Sequence, residues 1–196
     1  MHPELISLSL FMFATSCSPG PNNIVASYSG FNFGVLKTIP HMLGVIFGFT
    51  TLVSVTNFGL INIFQKFPII QEILKYAGSI FLIYLAYKIS FSKNSSENSA
   101  KNPVKFIETF FFQFINPKSV IVSVIMVSTY VHDGKNFLIY SFWVIGVAFL
   151  FAVISITFWT LLGKFLRRFA SNEKFIKRFN YVMSFLLLTC IATFYY

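Results

Sequence analysis

Residues Ser18-Pro19-Gly20-Pro21-Asn22 interrupt a hydrophobic stretch that would otherwise be one membrane helix, and Asn116-Pro117-Lys118-Ser119 interrupt another. Pro19 and Pro117 stand 98 positions apart in a chain of 196 residues. A proline removes a backbone donor and clashes with the preceding turn, so each interruption frees polar backbone within an apolar span. Such backbone is tolerated in a bilayer only where it is buried in protein or lines a cavity. Two broken spans at matching places in two halves point to a carrier whose binding site lies between the halves.

The distribution of charge supports a membrane location. Only 11% of residues are charged, against 56% hydrophobic. Ile39 to Gln65, Asn136 to Gly163 and Asn180 to Tyr196 contain no Lys, Arg, Asp or Glu, and runs of that length read as transmembrane helices. Six spans are expected: about Leu5–Tyr28, Ile39–Ile63, Ile69–Ser90, Phe106–Val131, Phe137–Leu162 and Phe179–Tyr196. Glu72 and Lys75 near the start of the third are three apart and could pair on one face. The hydrophilic linker Ser92–Lys105 divides the chain into three spans plus three. The expected fold is therefore an all-α polytopic membrane protein with one domain over 1–196. Its two three-helix repeats, 1–91 and 106–196, are joined by the linker 92–105, and helices one and four are broken.

Positive charge marks orientation rather than a nucleic-acid partner, although the net charge is +9. Eleven Lys and Arg residues fall in the first, third and fifth loops, and three (Lys66, Lys75 and Lys135) on the other side. The positive-inside rule puts the odd loops in the cytoplasm and both termini outside, the periplasmic side of a bacterial inner membrane. Three spans is an odd number, so the halves have inverted topology. Ala14-Thr15-Ser16-Cys17 faintly resembles a lipoprotein cleavage site, but the segment before it has Glu4 and no Lys or Arg, so no signal peptide is expected. Cys17 and Cys190 lie in apolar segments and read as small buried hydrophobes.

The two breaks carry the candidate chemistry. At about 1.5 Å per residue, the first lies about 21 Å and the second about 16 Å into a hydrocarbon core of roughly 30 Å. Ser18 is a good N-cap and proline is favoured at the first helical position, so the half-helix after the break would present free N–H groups to an anion such as an amino-acid carboxylate. Gly20 allows close backbone approach, and Asn22 and Asn23 offer donors and acceptors. The plainer alternative is a proline kink that only aids packing. Lys118 would cost roughly 2.5–3.5 kcal/mol near the bilayer centre if left alone. No acid is expected at its depth. Its partner could be a substrate carboxylate or carbonyls released at a break, unless it snorkels; Gln113 and Asn116 could share the site. The substrate-binding candidates are thus Ser18, Pro19, Gly20, Pro21, Asn22, Asn23, Gln113, Asn116, Pro117 and Lys118.

Other residues admit two readings. His41 either carries protons or is a satisfied interfacial histidine. Gly44 and Gly48 form a GxxxG pattern for close helix packing, while Gly30 and Gly34 share the spacing and are expected in a turn. Thr50, Thr51, Ser54, Asn57, Ser155, Thr157 and Thr160 could line a path or bond their own backbone. No Walker A, HExxH or GxSxG sequence occurs, so neither ATP-driven transport nor those hydrolases are indicated. Neither an enzyme nor a cofactor is implied, and no metal-ligand spacing is present.

Pro19-Gly20-Pro21-Asn22 and Asn116-Pro117-Lys118, with the six-span layout, resemble the LysE/RhtB superfamily of amino-acid exporters across essentially the whole chain. Gln113-Phe114-Ile115-Asn116, Ser128-Thr129-Tyr130-Val131 and the Cys190–Tyr196 ending are similar to its cysteine/O-acetylserine exporter branch. The resemblance implies a secondary exporter of small neutral amino acids. Many members carry an aspartate after the second-span glycine. Here Gly48 is followed by Phe49, which argues against cationic substrates and against proton coupling through that acid. The expected partners are the lipid bilayer and a small amino-acid substrate, with a homodimer left open. Efflux of a metal ion or another solute, and a non-transporting scaffold, are the alternatives.

Overall fold

The computed structural model describes residues 3–91, 103–132, 134–170 and 172–195. Most of the expected linker, with Lys93 and Lys101, lies outside the described residues, as does Tyr196. Among the described residues every regular element is helical. α1 (Pro3–Cys17) stops where the first break begins, and α2 (Pro21–Val55) starts at the second proline of that break. α2 turns at Gly34, whose φ of 78° and ψ of 174° belong to a region essentially confined to glycine. A π-type turn over Thr56–Leu60 leads into the short α3 (Ile61–Lys66). Then follow α4 (Ile69–Ser90), α5 (Phe106–Ile115), α6 (Pro117–Tyr130), α7 (Phe137–Leu166) and α8 (Glu173–Ala192).

Local sequence explains these boundaries. α5 and α6 are bent by 62° about Asn116, because Pro117 cannot donate to the α5 ladder. α8 begins six residues before the expected Phe179, because Asn172 accepts a hydrogen bond from the Phe175 N–H at 2.8 Å and so caps a helix that starts with charged residues. Lys75 and Glu72 pair at 2.8 Å, as their spacing suggests.

Length and composition give a span count that differs from the expected six. Pro21–Phe64, Glu72–Ser90, Phe137–Phe169 and Glu173–Ala192 are each long and apolar enough to cross a membrane, and the bent pair α5–α6 makes a fifth if taken as one span. The first expected span is divided. Its leading half, α1, is about 22 Å long at 1.5 Å per residue, short of a full crossing. Its trailing half runs through the Gly34 bend into the second span. The outer surface is rich in large apolar side chains, with Leu10, Ile80, Phe142 and Phe185 all more than 60% exposed. A soluble monomer rarely displays apolar surface on this scale, whereas hydrocarbon tails cover it. The protein is a polytopic helical membrane protein.

α2 is the central element and packs most extensively on α7, then on α5. The α2–α7 crossing is set by two glycines. A Cβ on Gly30 would overlap the Thr160 carbonyl, and one on Gly163 would overlap the Ser27 carbonyl. Gly30 therefore lies within a helix contact and not in the turn expected for it; only Gly34 makes the turn. Two apolar cores flank α2. One gathers Leu8, Met12, Leu52, Met126, Val144 and Ile156, and the other Ile24, Leu82, Leu85, Ile89, Phe112 and Leu187. The two breaks lie between them.

Candidate functional site

The first break begins with a correction. The residue that precedes α2 is Gly20, in an extended conformation, and Pro21 is the first helical residue; Ser18 is not the N-cap. The reason is Pro21 itself. A residue before proline is pushed out of the α region, so Gly20 cannot belong to a helix that starts at Pro19. No side chain caps this start, so the N–H groups of Asn22 and Asn23 have no intrahelical partner.

The carbonyls released at the end of α1 are taken up by side chains. Thr15 O accepts from the Ser18 hydroxyl at 2.8 Å. Ser16 O accepts from Asn23 Nδ2 and from the Ser155 hydroxyl, both at 2.7 Å. Ser18 O accepts from Asn23 Nδ2 at 3.1 Å and from Lys118 Nζ at 3.4 Å, while Lys118 Nζ also donates to Ser18 Oγ at 2.8 Å. Lys118 thus places its charge at the negative end of the α1 dipole, where a cation gains about 0.3–1 kcal/mol and up to about 2 kcal/mol when partly buried. This is how a lysine sits inside an apolar protein without a carboxylate beside it. The two breaks, far apart in sequence, are joined directly by this side chain. Gly20 makes room for it, since a Cβ there would lie 2.9 Å from Nζ.

The second break is organised by Asn116 and Gln113. Asn116 Oδ1 accepts from the Lys118 N–H at 3.2 Å and caps α6, and its Nδ2 donates to Ser119 Oγ at 3.0 Å. Gln113 is fully buried. Its Nε2 donates to Asn22 Oδ1 at 3.1 Å and Thr109 O at 2.9 Å, and its Oε1 accepts from Asn22 Nδ2 at 2.8 Å and Ser119 Oγ at 3.1 Å. Both hydrogens and both lone pairs of that amide are used. Gln113 is therefore a positioning residue: it fixes Asn22 across the two breaks and has nothing left for a guest. Asn22 keeps one amide hydrogen and one lone pair, and Lys118 has two acceptors for three hydrogens.

A cavity of about 80 Å³ opens where these groups converge. That is about five to eight times the least volume that holds a water molecule. Gly20, Pro21, Asn22, Asn23, Gln113, Asn116 and Lys118 line it. Ser18 does not line it and touches the site through Lys118 and Asn23, Pro117 is buried behind it as the first residue of α6, and Pro19 points outward. The prolines make the breaks; except for Pro21 they do not face the space. Met12, Val45, Phe49, Val122 and Ile156 supply an apolar wall, and Ser16, Ser119 and Ser155 complete the polar one. Lys118 is the one charged residue among those lining it. The contribution of Ser155 was open to sequence reasoning only as one polar residue among several in its span. Thr50, Ser54 and Thr160 bond carbonyls of their own helices, and Asn57 donates to Ser141 at 2.9 Å.

His41 lies beneath the site and does not line the cavity. It is buried, with Nδ1 2.9 Å from Thr109 Oγ1 and Nε2 3.3 Å from Asn22 O. A carbonyl only accepts, so Nε2 carries a hydrogen. Gly44 and Gly48 face α5: a Cβ on either would press on the carbonyl of Phe106 or Phe110. That small-residue face is filled within one copy of the chain. Among the described residues no group of three His, Cys, Asp or Glu side chains could hold a metal ion.

The family follows from comparison of the whole chain. The model of the LysE type translocator family matches residues 13–196, which includes both breaks and every residue of the cavity except Met12. The chain belongs to the LysE type translocator family. It is 29% identical to the cysteine/O-acetylserine efflux proteins of Salmonella choleraesuis and Salmonella typhimurium, over 201 aligned positions that cover all of both chains. It is 28% identical to the cysteine/O-acetylserine efflux protein of Escherichia coli K12, again over the full length of both. No solved structure matches it. As a LysE-type translocator it is a multi-pass membrane transporter that moves a small molecule, and its polar cavity is lined by residues from both halves of the sequence.

Proposed function

We propose that this translocator is a secondary exporter of small neutral amino acids or their derivatives, of the cysteine/O-acetylserine or homoserine/threonine class, in the bacterial inner membrane. One observation carries the reading: Lys118 of one proline break reaches Ser18 of the other at the edge of a polar cavity that has no acidic residue in its wall. In the bound state the substrate carboxylate takes hydrogen bonds from Lys118 Nζ and from the free N–H groups at the start of α2. Asn22 holds the amino group with its remaining lone pair. Phe49 and its apolar neighbours receive a short uncharged side chain, and the lack of a carboxylate in the wall disfavours a second positive charge on the guest.

The transport cycle on this reading is relative motion of two inverted three-span units, 1–91 and 106–196, with both termini on the outer face. Ser18, Asn22 and Asn23 belong to one unit and Gln113, Asn116 and Lys118 to the other, so the contacts that hold the guest are also those that rearrange. His41, tied to the Asn22 carbonyl and Thr109, is the candidate for coupling to protons. A homodimer would have to use a surface other than the Gly44–Gly48 face.

The test is export from cells lacking their own exporters. Wild-type protein should lower intracellular cysteine, O-acetylserine, homoserine or threonine, and Lys118→Ala and Asn22→Ala should abolish the effect while still reaching the membrane. Unchanged export of all four by both variants removes the proposed site. Protein in liposomes that moves no amino acid, with or without a proton gradient, removes the exporter reading.

A further inference from the structure

A second cavity, of about 160 Å³, lies between the start of α1, the end of α6 and the start of α7. Its chemistry is opposite to that of the first. The central cavity has a lysine and no acid; this one has the carboxylate of Glu4 with Tyr130, Tyr140, Trp143 and Asn136 around it. A carboxylate beside several aromatic rings is how proteins hold an ammonium group, since the ring faces attract a cation and the acid neutralises it. The rim is braced. Tyr130 Oη and Ser7 Oγ are 3.0 Å apart, His132 Nε2 stands 3.6 Å from Glu4 Oε1, and the His132 ring meets Tyr140 edge-on with centroids 5.2 Å apart. Glu4 already has partners, but a carboxylate offers about four lone-pair sites and can serve an ammonium as well.

The two cavities share helices. On α1, Leu8 lines the outer cavity and Met12 the central one, about one helical turn apart. On α7, Val144 lines the outer cavity and Ala152 the central one, about 12 Å along the axis. Between them the packing is apolar: Leu8, Met12, Val144 and Ala148 are all buried in one cluster.

We propose that this outer cavity is a binding site for a primary ammonium group, placed on the route by which a guest leaves the central cavity. Its position on an exit route rests on the exporter reading; the ammonium site itself does not. A zwitterion then meets a carboxylate site and an ammonium site in succession. The group can be supplied by an amino compound in water or by the ethanolamine head of a lipid.

Trp143 reports on the site directly. It is one of two tryptophans in the chain, so Trp159→Phe leaves it as the only one. Full-length protein with that change, in phosphatidylglycerol nanodiscs at constant ionic strength, is titrated with ethanolamine while Trp143 emission is followed. A saturable change is expected. Glu4→Gln should raise the half-saturating concentration at least tenfold, and Lys118→Ala should leave it unaltered. Discs that also contain phosphatidylethanolamine separate the two sources. Loss of the ethanolamine response there assigns the lipid head group, and its persistence assigns a soluble amine. No saturable change in phosphatidylglycerol discs, or an unshifted titration in Glu4→Gln, overturns the site. The titration involves no transport, so failure of the exporter reading would leave its result standing.

Discussion

Replacing Lys118 by methionine separates a lysine kept for the guest from one kept for the fold. The structure gives the bonds that hold the lysine. Lys118 Nζ donates to Ser18 Oγ at 2.8 Å and to Ser18 O at 3.4 Å. Hydrogen bonds from a charged donor contribute about 1.5–3 kcal/mol each, and the longer one belongs at or below the bottom of that range. Against this, a charge near the bilayer centre costs roughly 2.5–3.5 kcal/mol, which an uncharged side chain of similar length avoids. The sum for the fold is close to zero, and Ser18 O retains its bond from Asn23. Lys118→Met should therefore melt within a few degrees of the parent in detergent. The guest loses a charged donor worth about 1.5–3 kcal/mol, so its half-saturating concentration should rise by about 10- to 150-fold. The assay is uptake of labelled amino acid into inverted vesicles as a function of concentration, beside a thermal-unfolding curve on the same preparation. A stable variant with parental half-saturation would refute the carboxylate role. An unfolded variant would refute the balance and make Lys118 structural.

Four further outcomes follow from the packing. Gly34→Ala should cost of order 1–3 kcal/mol from backbone strain alone, since nothing lies within 4 Å of an added Cβ; thermal unfolding measures it. Gly30→Leu should cost about as much or more for the opposite reason, by forcing α2 off the Thr160 carbonyl, and should also raise protease sensitivity of the α2–α7 region. Asn23→Ala strips a donor from both Ser16 O and Ser18 O and should destabilise by about 1–3 kcal/mol. Ser155→Ala leaves Ser16 O with its Asn23 bond and should cost about 1 kcal/mol or less, a contrast visible in parallel melting curves.

The parts of the site that depend on backbone chemistry could be read from the residues. Proline has one physical consequence in an apolar helix, so the breaks and the presence of Lys118 beside them were legible. The helix start was not: Ser18-Pro19 and Gly20-Pro21 are both acceptable openings, and only the restriction that Pro21 places on Gly20 decides between them. Gly30 was misplaced because spacing alone does not distinguish a glycine needed for its dihedral angles from one needed for its missing side chain. Gln113 and Asn23 line the cavity and also brace it, and an amide read from the sequence advertises all its donors and acceptors. Whether those are spent on neighbours depends on residues such as Ser16 and Asn22 that only the fold brings within reach. Hydropathy gives six spans but does not record that α1 is shorter than a full crossing or that α5 and α6 meet at 62°.

The hydrogen bond from Lys118 to Ser18 has a consequence for an idle carrier. On the exporter reading, an arriving carboxylate takes the third ammonium hydrogen of Lys118 and then competes with the end of α1 for the other two. On that reading the lysine of an empty carrier latches the two breaks together, and separating them would take both Ser18 acceptors away from its charge. Cargo would loosen the latch by offering the lysine a better acceptor. Such a device would tie movement to occupancy and limit futile cycling and leak through an empty protein.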